Sequence, residues 1–180
     1  VFTTSAHPCS YLPDREATTL FVDPQLPITD NLYGQLNDMG FRRSGKHFYT
    51  PHCKECQDCI ATRVVATDFR PTRRHQRTIK TNEDIDTQTV SSIDSDEHYA
   101  LYERYINHRH PDGDMHPPSQ EQYRQFIGDA TKFSNYLELR ANNQLLAVCV
   151  MDRLPDGLSA IYTFFDPASS KRSLGVFSIL

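Results

Sequence analysis

The sequence has no tryptophan, few glycines and no apolar run that approaches the roughly 20 residues of a membrane span. Residues 1–9 show neither the basic head nor the apolar stretch of a signal peptide. Five cysteines, an odd number, argue against a secreted framework of disulfides. We therefore expect a cytoplasmic protein with no membrane partner. Its 180 residues are enough for one medium domain, or two small ones, with a buried core.

The net charge of −4 hides a strong asymmetry along the chain. Residues 42–80 hold ten Lys and Arg but only three Asp and Glu, a net +7, which leaves −11 for the rest. A basic segment in an acidic chain is a candidate phosphate-binding surface, although a solvated, salt-bridged face is the alternative. Pro71 predicts the start of a helix that reaches Lys80. The cations of this segment recur at three- and four-residue spacing and are predicted to face largely one way: Arg70, Arg73, Arg74, Arg77 and Lys80.

Three cysteines follow one another at three-residue spacing in the run Cys53-x2-Cys56-x2-Cys59. With Cys9 as a distant fourth ligand, such a run predicts a site for zinc or an iron–sulfur cluster. His52 and His7 are alternative ligands, and free thiols in a reducing cytosol are the alternative interpretation. Cys149 lies within the apolar run Leu145–Met151 and is predicted to be an inert core residue.

The first half predicts short elements. Thr18–Asp23 favours a strand, and Asp30 is expected to cap a helix that ends near Met39, with Gly40 after it. Residues 41–44 and 47–50 predict a hairpin around Gly45. The β-branched stretch 62–69 favours another strand.

The second half has a different pattern. After a polar stretch with strand-like alternation at 81–94 come two helices, over 96–108 and after Ser119, and then three strands with short turns at 136–140, 144–154 and 158–165. A loop then leads to the start of an apolar helix, with Ser173 as its expected N-cap. Two helices, an antiparallel meander and a loop that feeds a helix resemble the N-acetyltransferase (GNAT-like) fold.

The predicted fold class is therefore α/β (α+β), with a cysteine-bearing, basic N-terminal region at 1–80 and a GNAT-like domain at 81–180. Such folds normally continue with a further strand, helix and strand. We accordingly expect the second domain to be incomplete at its C-terminal end.

Several blocks in order along the chain carry a more specific resemblance: His7-Pro-Cys-Ser-Tyr-Leu-Pro13, Gly40-Phe-Arg-Arg-Ser-Gly-Lys-His-Phe-Tyr49, the cysteine run, Tyr105-x3-Arg109-His110-x2-Gly113-x-Met115, Tyr162-Thr-Phe-Phe-Asp-Pro167 and Ser173-Leu-Gly175. These blocks resemble the bacterial aminoacyl-tRNA–protein transferases, in particular the aspartate/glutamate leucyltransferases, which are related to eukaryotic arginyltransferases. The resemblance covers essentially the whole chain.

The resemblance implies transfer of leucine, or arginine, from charged tRNA to the α-amine of proteins that begin with Asp or Glu, which marks them for degradation by the N-end rule. The implied partners are aminoacyl-tRNA and those protein substrates. An aminoacyl ester is already activated, so no cofactor is required for transfer. The protein must position amine and ester, take up a proton and stabilise an oxyanion.

On this basis the candidate catalytic residues are Tyr162 and Asp166, at the end of the last meander strand. The candidate substrate-binding residues are Tyr11, Arg63, Arg109 and His110, of which the two arginines are candidates for the acidic side chain of the substrate. Four of these residues have a plainer interpretation: Tyr11 as a packing aromatic, Asp166 as a turn starter, and Arg109 and His110 as compensation of the dipole at a helix C-terminus.

Two other functions remain open at this point. One is the same reaction with arginine as the donor, which no motif in the chain decides. The other is a non-catalytic RNA-binding or metal-sensing module with a degenerate transferase fold.

Overall fold

The computed structural model describes residues 1–128 and 131–180 and shows the mixed α+β fold that the sequence predicts. Its strands are β1 Phe2–Thr3, β2 His7–Pro8, β3 Glu16–Ala17, β4 Thr19–Phe21, β5 Arg42–Ser44, β6 His47–Pro51, β7 Asp86–Val90, β8 Ser134–Ala141, β9 Gln144–Leu154 and β10 Gly157–Phe165. Its helices are α1 Asp30–Asp38, α2 Arg73–Thr81, α3 Asp96–Arg109, α4 Gln120–Tyr123 and α5 Leu174–Phe177, with a π-helical segment at Arg124–Gly128 and a 3₁₀ helix at Pro167–Arg172. No helix among the described residues is long and apolar enough to cross a membrane.

The chain divides into two compact units. The first comprises residues 1–65 with 154–156, and the second comprises 66–153 with 157–180. The basic helix α2 therefore lies in the second unit. The division into functional regions at 1–80 and 81–180 stays a prediction.

The first unit contains an antiparallel sheet of order β1-β4-β6-β5, the two-stranded pair β2-β3, and α1. The predicted hairpin of β5 and β6 is confirmed, and Gly45 occupies its turn with a positive φ of 56°. Thr29, rather than Asp30, caps α1 by accepting the backbone N–H of Leu32. The rings of Tyr33 and Phe48, both buried, pack edge to face at 4.8 Å.

The second unit is built on an antiparallel sheet of order β10-β9-β8-β7. The predicted meander is confirmed, and its first turn uses Asn142 and Asn143, both with positive φ, as a tight hairpin requires. The apolar run in β9 alternates between two hydrophobic clusters because successive strand residues face opposite ways. Val148 and Val150 join the cluster that includes α3, whereas Ala147 and Cys149 join the one that includes Leu174.

Cys149 is buried, as predicted, and burial raises the pKa of its thiol. The thiol therefore stays protonated at neutral pH, which agrees with an inert core residue.

Two further predictions about local structure are wrong. Residues 62–69 form no strand, and Val64 and Val65 are exposed, because β-branched composition alone provides no neighbouring strand with which to pair. Ser173 does not cap a helix with its side chain. It has a left-handed conformation with φ 51° and ψ 45°, between the 3₁₀ helix and α5.

Candidate functional site

The basic helix α2 forms close to where the sequence predicts it, but it begins at Arg73 after the N-cap Thr72, so Pro71 lies before its first turn. The Thr72 side chain accepts the backbone N–H of His75, and the His75 ring accepts the N–H of Thr72, so the pair makes a capping box. The five cations of this segment are all exposed: Arg70, Arg73, Arg74, Arg77 and Lys80. The described residues provide none of them with a carboxylate partner. Exposed cations without carboxylate partners, on α2 and just before it, suit phosphate groups better than they suit a salt-bridged surface.

An aromatic pair stands at the start of this helix. The half-buried ring of Phe69 lies 5.4 Å from that of His75, with 33° between their planes. Arg70 donates through one guanidinium nitrogen to the carbonyls of Thr67 and Phe69, at 3.0 and 3.1 Å. These bonds fold the chain back just before α2.

The remaining cations of the basic segment lie in the first unit, and Arg43 and Arg63 among them have described protein partners. Buried Arg43 donates to the carbonyl of Gly45 at 2.6 Å. Arg63 is exposed and pairs with Asp38, while Asp156 lies 4.0 Å from its guanidinium. The hydrogen bond and charge of Asp38 raise the pKa of Arg63. The assignment of Arg63 to the acidic side chain of a substrate stays a prediction.

The four predicted metal ligands do not fit a metal site. Cys9 Sγ accepts the backbone N–H of Tyr11 at 3.5 Å, Cys53 Sγ contacts the carbonyl of Thr18 at 3.8 Å, and Cys56 Sγ contacts Asp58 at 3.5 Å. Cys59 is exposed. Within residues 1–128 and 131–180, no group of three or more His, Cys, Asp or Glu side chains is placed to hold an ion. The spacing of the cysteines predicted their convergence, but the backbone directs the sulfurs to separate partners.

Tyr11 is 74% exposed on the connection between β2 and β3. A cleft of about 460 Å³ lies in the same hairpin and is lined by residues 6–9 and 12–16. The role of Tyr11 in substrate binding stays a prediction.

Tyr162 holds a buried hydroxyl without a hydrogen-bond partner among the described residues. Its ring packs edge to face against Phe126 at 5.1 Å and Tyr105 at 6.2 Å. Burial raises the pKa of Tyr162 above its usual value, so the hydroxyl is neutral at pH 7 and is available as a donor. An unpaired buried hydroxyl costs roughly 1–3 kcal/mol, so a group of this kind needs an explanation.

Asp166 follows β10 and caps the 3₁₀ helix. Its carboxylate accepts the backbone N–H of Ala168 at 3.2 Å and the hydroxyl of Ser169 at 3.4 Å. Its own N–H donates to the carbonyl of Leu146 in β9 at 2.8 Å. The carboxylate is therefore held at a fixed place beside the sheet.

Arg109 and His110 lie at the end of α3. Arg109 is the last, exposed residue of the helix, and His110 is its C-cap, with its N–H donated to Ile106. The His110 ring packs on Tyr105 at 5.4 Å. Tyr105 thus touches both His110 and Tyr162, so the structure brings two of the predicted site residues onto one aromatic ring.

Tyr105 contacts two of the predicted site residues, but the sequence did not single it out as one of them. Its position in the apolar stripe of α3 predicted a core residue, and it is buried. The signal that pointed to it was its place at the head of the block that ends in Arg109 and His110. Burial raises the pKa of Tyr105, although the nearby charge of Arg109 opposes that shift.

Comparison with known proteins gives matches in both halves of the chain. The family description "Arginine-tRNA-protein transferase, N terminus" matches residues 7–77, and "Arginine-tRNA-protein transferase, C terminus" matches residues 97–180. An aspartate/glutamate leucyltransferase of Saccharophagus degradans is 52% identical over 181 aligned positions, which cover 100% of this chain and 77% of the relative.

Two further relatives carry the same name. The protein of Teredinibacter turnerae is 52% identical, with 100% of this chain and 74% of the relative covered. That of Pseudomonas fluorescens is 49% identical, with 99% and 76% covered.

Proposed function

Because the chain belongs to the arginine-tRNA–protein transferase family, and is accordingly an aminoacyltransferase, we propose that it moves leucine from charged tRNA to the α-amine of proteins that begin with Asp or Glu. The observation that carries the proposal is the match to both halves of the family, in order, along one chain. Leucine is favoured over arginine as the donor because the relatives are named leucyltransferases.

The reaction balances without a further reactant. The neutral α-amine of the protein attacks the ester carbonyl, a C–N bond forms, and the bond to the ribose oxygen breaks. One proton leaves the amine and one proton goes to the ribose oxygen. The protein therefore has to align two substrates, accept a proton and stabilise the oxyanion that forms at the carbonyl.

We assign the oxyanion, or the departing ribose oxygen, to Tyr162. Its hydroxyl is neutral, buried and unpaired, so it can donate without first giving up another bond. Asp166 would orient the incoming amine and accept its proton. This role requires the carboxylate to exchange its hydrogen bond with Ser169, the longer of its two, for one with the amine.

The acceptor arm of tRNA would bind the cations of α2 through its phosphates, which gives affinity with little dependence on base sequence. Phe69 and His75 would stack on an unpaired base at the end of that arm. Arg109 and His110 are the proposed contacts for the acidic side chain of the substrate in the second unit, and Tyr11 and Arg63 those in the first.

The wider setting is part of the same proposal. Products that begin with leucine would enter degradation by the N-end rule, and the protein would work in the cytoplasm. We also propose that residues 81–180 form a GNAT-like transferase domain that follows the cysteine-bearing region at 1–80.

A transfer assay tests the proposal. Leu-tRNA and Arg-tRNA are each offered with peptides that differ only in their first residue, Asp, Glu or Ala. We expect labelling of the Asp and Glu peptides from Leu-tRNA and little labelling of the Ala peptide. Arg-tRNA as the better donor would reassign the donor. Binding of tRNA without labelling of any peptide would favour the RNA-binding module, for which the free cations of α2 are the supporting observation.

A further inference from the structure

Helix α2 is tied to the 3₁₀ helix that follows Asp166 by one buried amide. Asn82 is 1% exposed, and its amide nitrogen donates to the carbonyl of Thr78 at 2.9 Å and to the carbonyl of Arg172 at 2.8 Å. Asn82 and Arg172 lie 90 residues apart in the chain. One side chain therefore joins the end of the basic helix to the end of the 3₁₀ helix.

An ion pair closes the same junction from outside. Both terminal nitrogens of Arg172 donate to the carboxylate of Asp84, at 2.7 and 2.8 Å, and one lies 3.5 Å from Asn82 Oδ1. A bidentate arginine–carboxylate pair fixes orientation as well as distance. We call Asn82, Asp84 and Arg172 the clamp.

The clamp lies next to a strained residue. Ser173, directly after Arg172, is left-handed, a conformation that a residue other than glycine keeps only when its surroundings hold it there. The Asn82 amide donates to the carbonyl of Arg172, which belongs to the peptide bond directly before Ser173. Helix α2 also packs against α5, which begins directly after Ser173. Contacts with α2 and the residue that follows it therefore hold the end of the segment that runs from Asp166 to α5.

We propose that the clamp residues Asn82, Asp84 and Arg172 are positioning residues, which hold the tRNA-binding helix in register with the segment that begins at Asp166. This inference rests on the proposed function. The phosphates bound by α2 and the carboxylate of Asp166 would lie at the two ends of this hydrogen-bonded connection, so the ester would arrive at a fixed offset from the amine that Asp166 orients. Without the clamp the helix still binds phosphate, but the ester is misaligned.

The chain offers a matched control for this role. Glu97 accepts a second bidentate pair from Arg140, at 3.2 and 2.7 Å. The side chain of Glu97 is 49% exposed and that of Arg140 is 24% exposed, which is close to the 48% of Asp84 and the 28% of Arg172. Glu97→Gln therefore removes a similar charge and a similar pair from α3, and Asp84→Asn removes them from the clamp.

The experiment compares wild type, Asp84→Asn, the exchanged pair Asp84→Arg/Arg172→Asp, and Glu97→Gln in steady-state transfer from Leu-tRNA and in equilibrium binding of uncharged tRNA. In Asp84→Asn we expect kcat to fall on the order of 10-fold while the Kd for tRNA changes less than about 3-fold, since misalignment lowers the rate and leaves phosphate binding intact. The exchanged pair should recover most of the missing kcat, and Glu97→Gln should keep it. An unchanged kcat in Asp84→Asn, or an equal fall in Glu97→Gln, would overturn the positioning role.

Hydrogen exchange with uncharged tRNA separates this inference from the proposed function, because it requires no turnover. In wild type we expect tRNA to slow amide exchange both in residues 73–82 and in residues 167–174. In Asp84→Asn we expect protection of residues 73–82 alone. Protection confined to 73–82 in wild type would overturn the coupling even if transfer is efficient, whereas absence of transfer with protection of both segments would contradict only the proposed function.

Discussion

At the scale of single residues, the buried hydroxyl of Tyr162 is expected to lower the stability of the fold and to assist the proposed reaction. As a structural group it is a cost, because it is removed from water and has no partner among the described residues. As a donor to an oxyanion it is useful for the same reason. A change that removes only the oxygen therefore moves stability and activity in opposite directions.

For Tyr162→Phe we expect the free energy of unfolding to rise by roughly 1 kcal/mol, since an unpaired buried hydroxyl is removed. We expect kcat for transfer to fall by about 100-fold, the usual effect of losing one oxyanion donor. Chemical denaturation and steady-state kinetics measure the two effects.

Tyr123→Phe is the matched control. The Tyr123 hydroxyl is also buried but donates to the carbonyl of Ile93 at 2.7 Å. Its removal should lower the free energy of unfolding by about 1 kcal/mol and leave kcat unchanged. A stable Tyr162→Phe variant with full kcat would remove Tyr162 from the reaction.

The sequence could identify such residues only in part. The resemblance of motifs identifies Tyr162 and Asp166 as candidates. Nothing in the sequence shows that the Tyr162 hydroxyl is buried without a partner among the described residues. The spacing of the cysteines is typical of a metal site, yet the sulfurs of Cys9, Cys53 and Cys56 have separate partners. Spacing along the chain limits how close ligands can come, but the backbone decides where they point.

At the scale of elements, α2 was predictable because its signals are local. Thr72 caps its start, directly after Pro71, and its cations follow at helical spacing. The stretch 62–69 was not predictable, because a strand needs a partner that composition cannot supply. Nor does any local signal show that Asn82 reaches Arg172.

We expect Arg73→Ala/Arg77→Ala to weaken tRNA binding by roughly 10-fold and to reduce the slope of log Kd against log salt by about 2, one for each phosphate that is no longer neutralised. Filter binding at several salt concentrations measures both quantities. Arg104→Ala, at an exposed position of α3, is the control and should change neither. Equal weakening in the control would mean that α2 is not the binding face.

A second element-scale link joins α3 to β8. Glu138 is buried, and its carboxylate accepts hydrogen bonds from His98 Nε2 at 2.7 Å and from Arg140 Nε at 2.5 Å. Arg140 also donates to the carboxylate of Glu97. Burial alone would raise the pKa of Glu138, but the hydrogen bonds from Arg140 and His98 outweigh it and hold the pKa below its usual value. The ionised carboxylate therefore stabilises the folded state.

Because the folded-state pKa is lowered, this stabilisation is complete above the ordinary glutamate pKa near 4.3 and is lost as the pH falls through the folded value. We expect Glu138→Gln to lower the free energy of unfolding at pH 7 by about 3 kcal/mol, since it breaks a buried pair. The difference from wild type should shrink as the pH is lowered from 6 to 3. Urea denaturation at each pH measures it, and a difference that grows toward acid would contradict the assignment.

At the scale of the whole molecule, the structure shows how the basic residues of the segment 42–80 are distributed between the two compact units. The net +7 of residues 42–80 predicted one basic surface, but the structure divides those cations between two compact units. In the first unit Arg43 and Arg63 are engaged with protein groups, whereas the cations of α2 in the second unit are free of carboxylates within the described residues. The cations of α2, which Asn82 links to the segment after Asp166, are the proposed tRNA contact.

The central claim is direct transfer from charged tRNA to an α-amine. A single-turnover reaction tests it, with excess enzyme, Leu-tRNA labelled in the leucine, a peptide that begins with Asp, and no ATP. We predict that the label leaves the tRNA and appears on the peptide α-amine in one phase, with none retained on the protein. Label that stays on the tRNA, or that is released only as free leucine, would contradict the account.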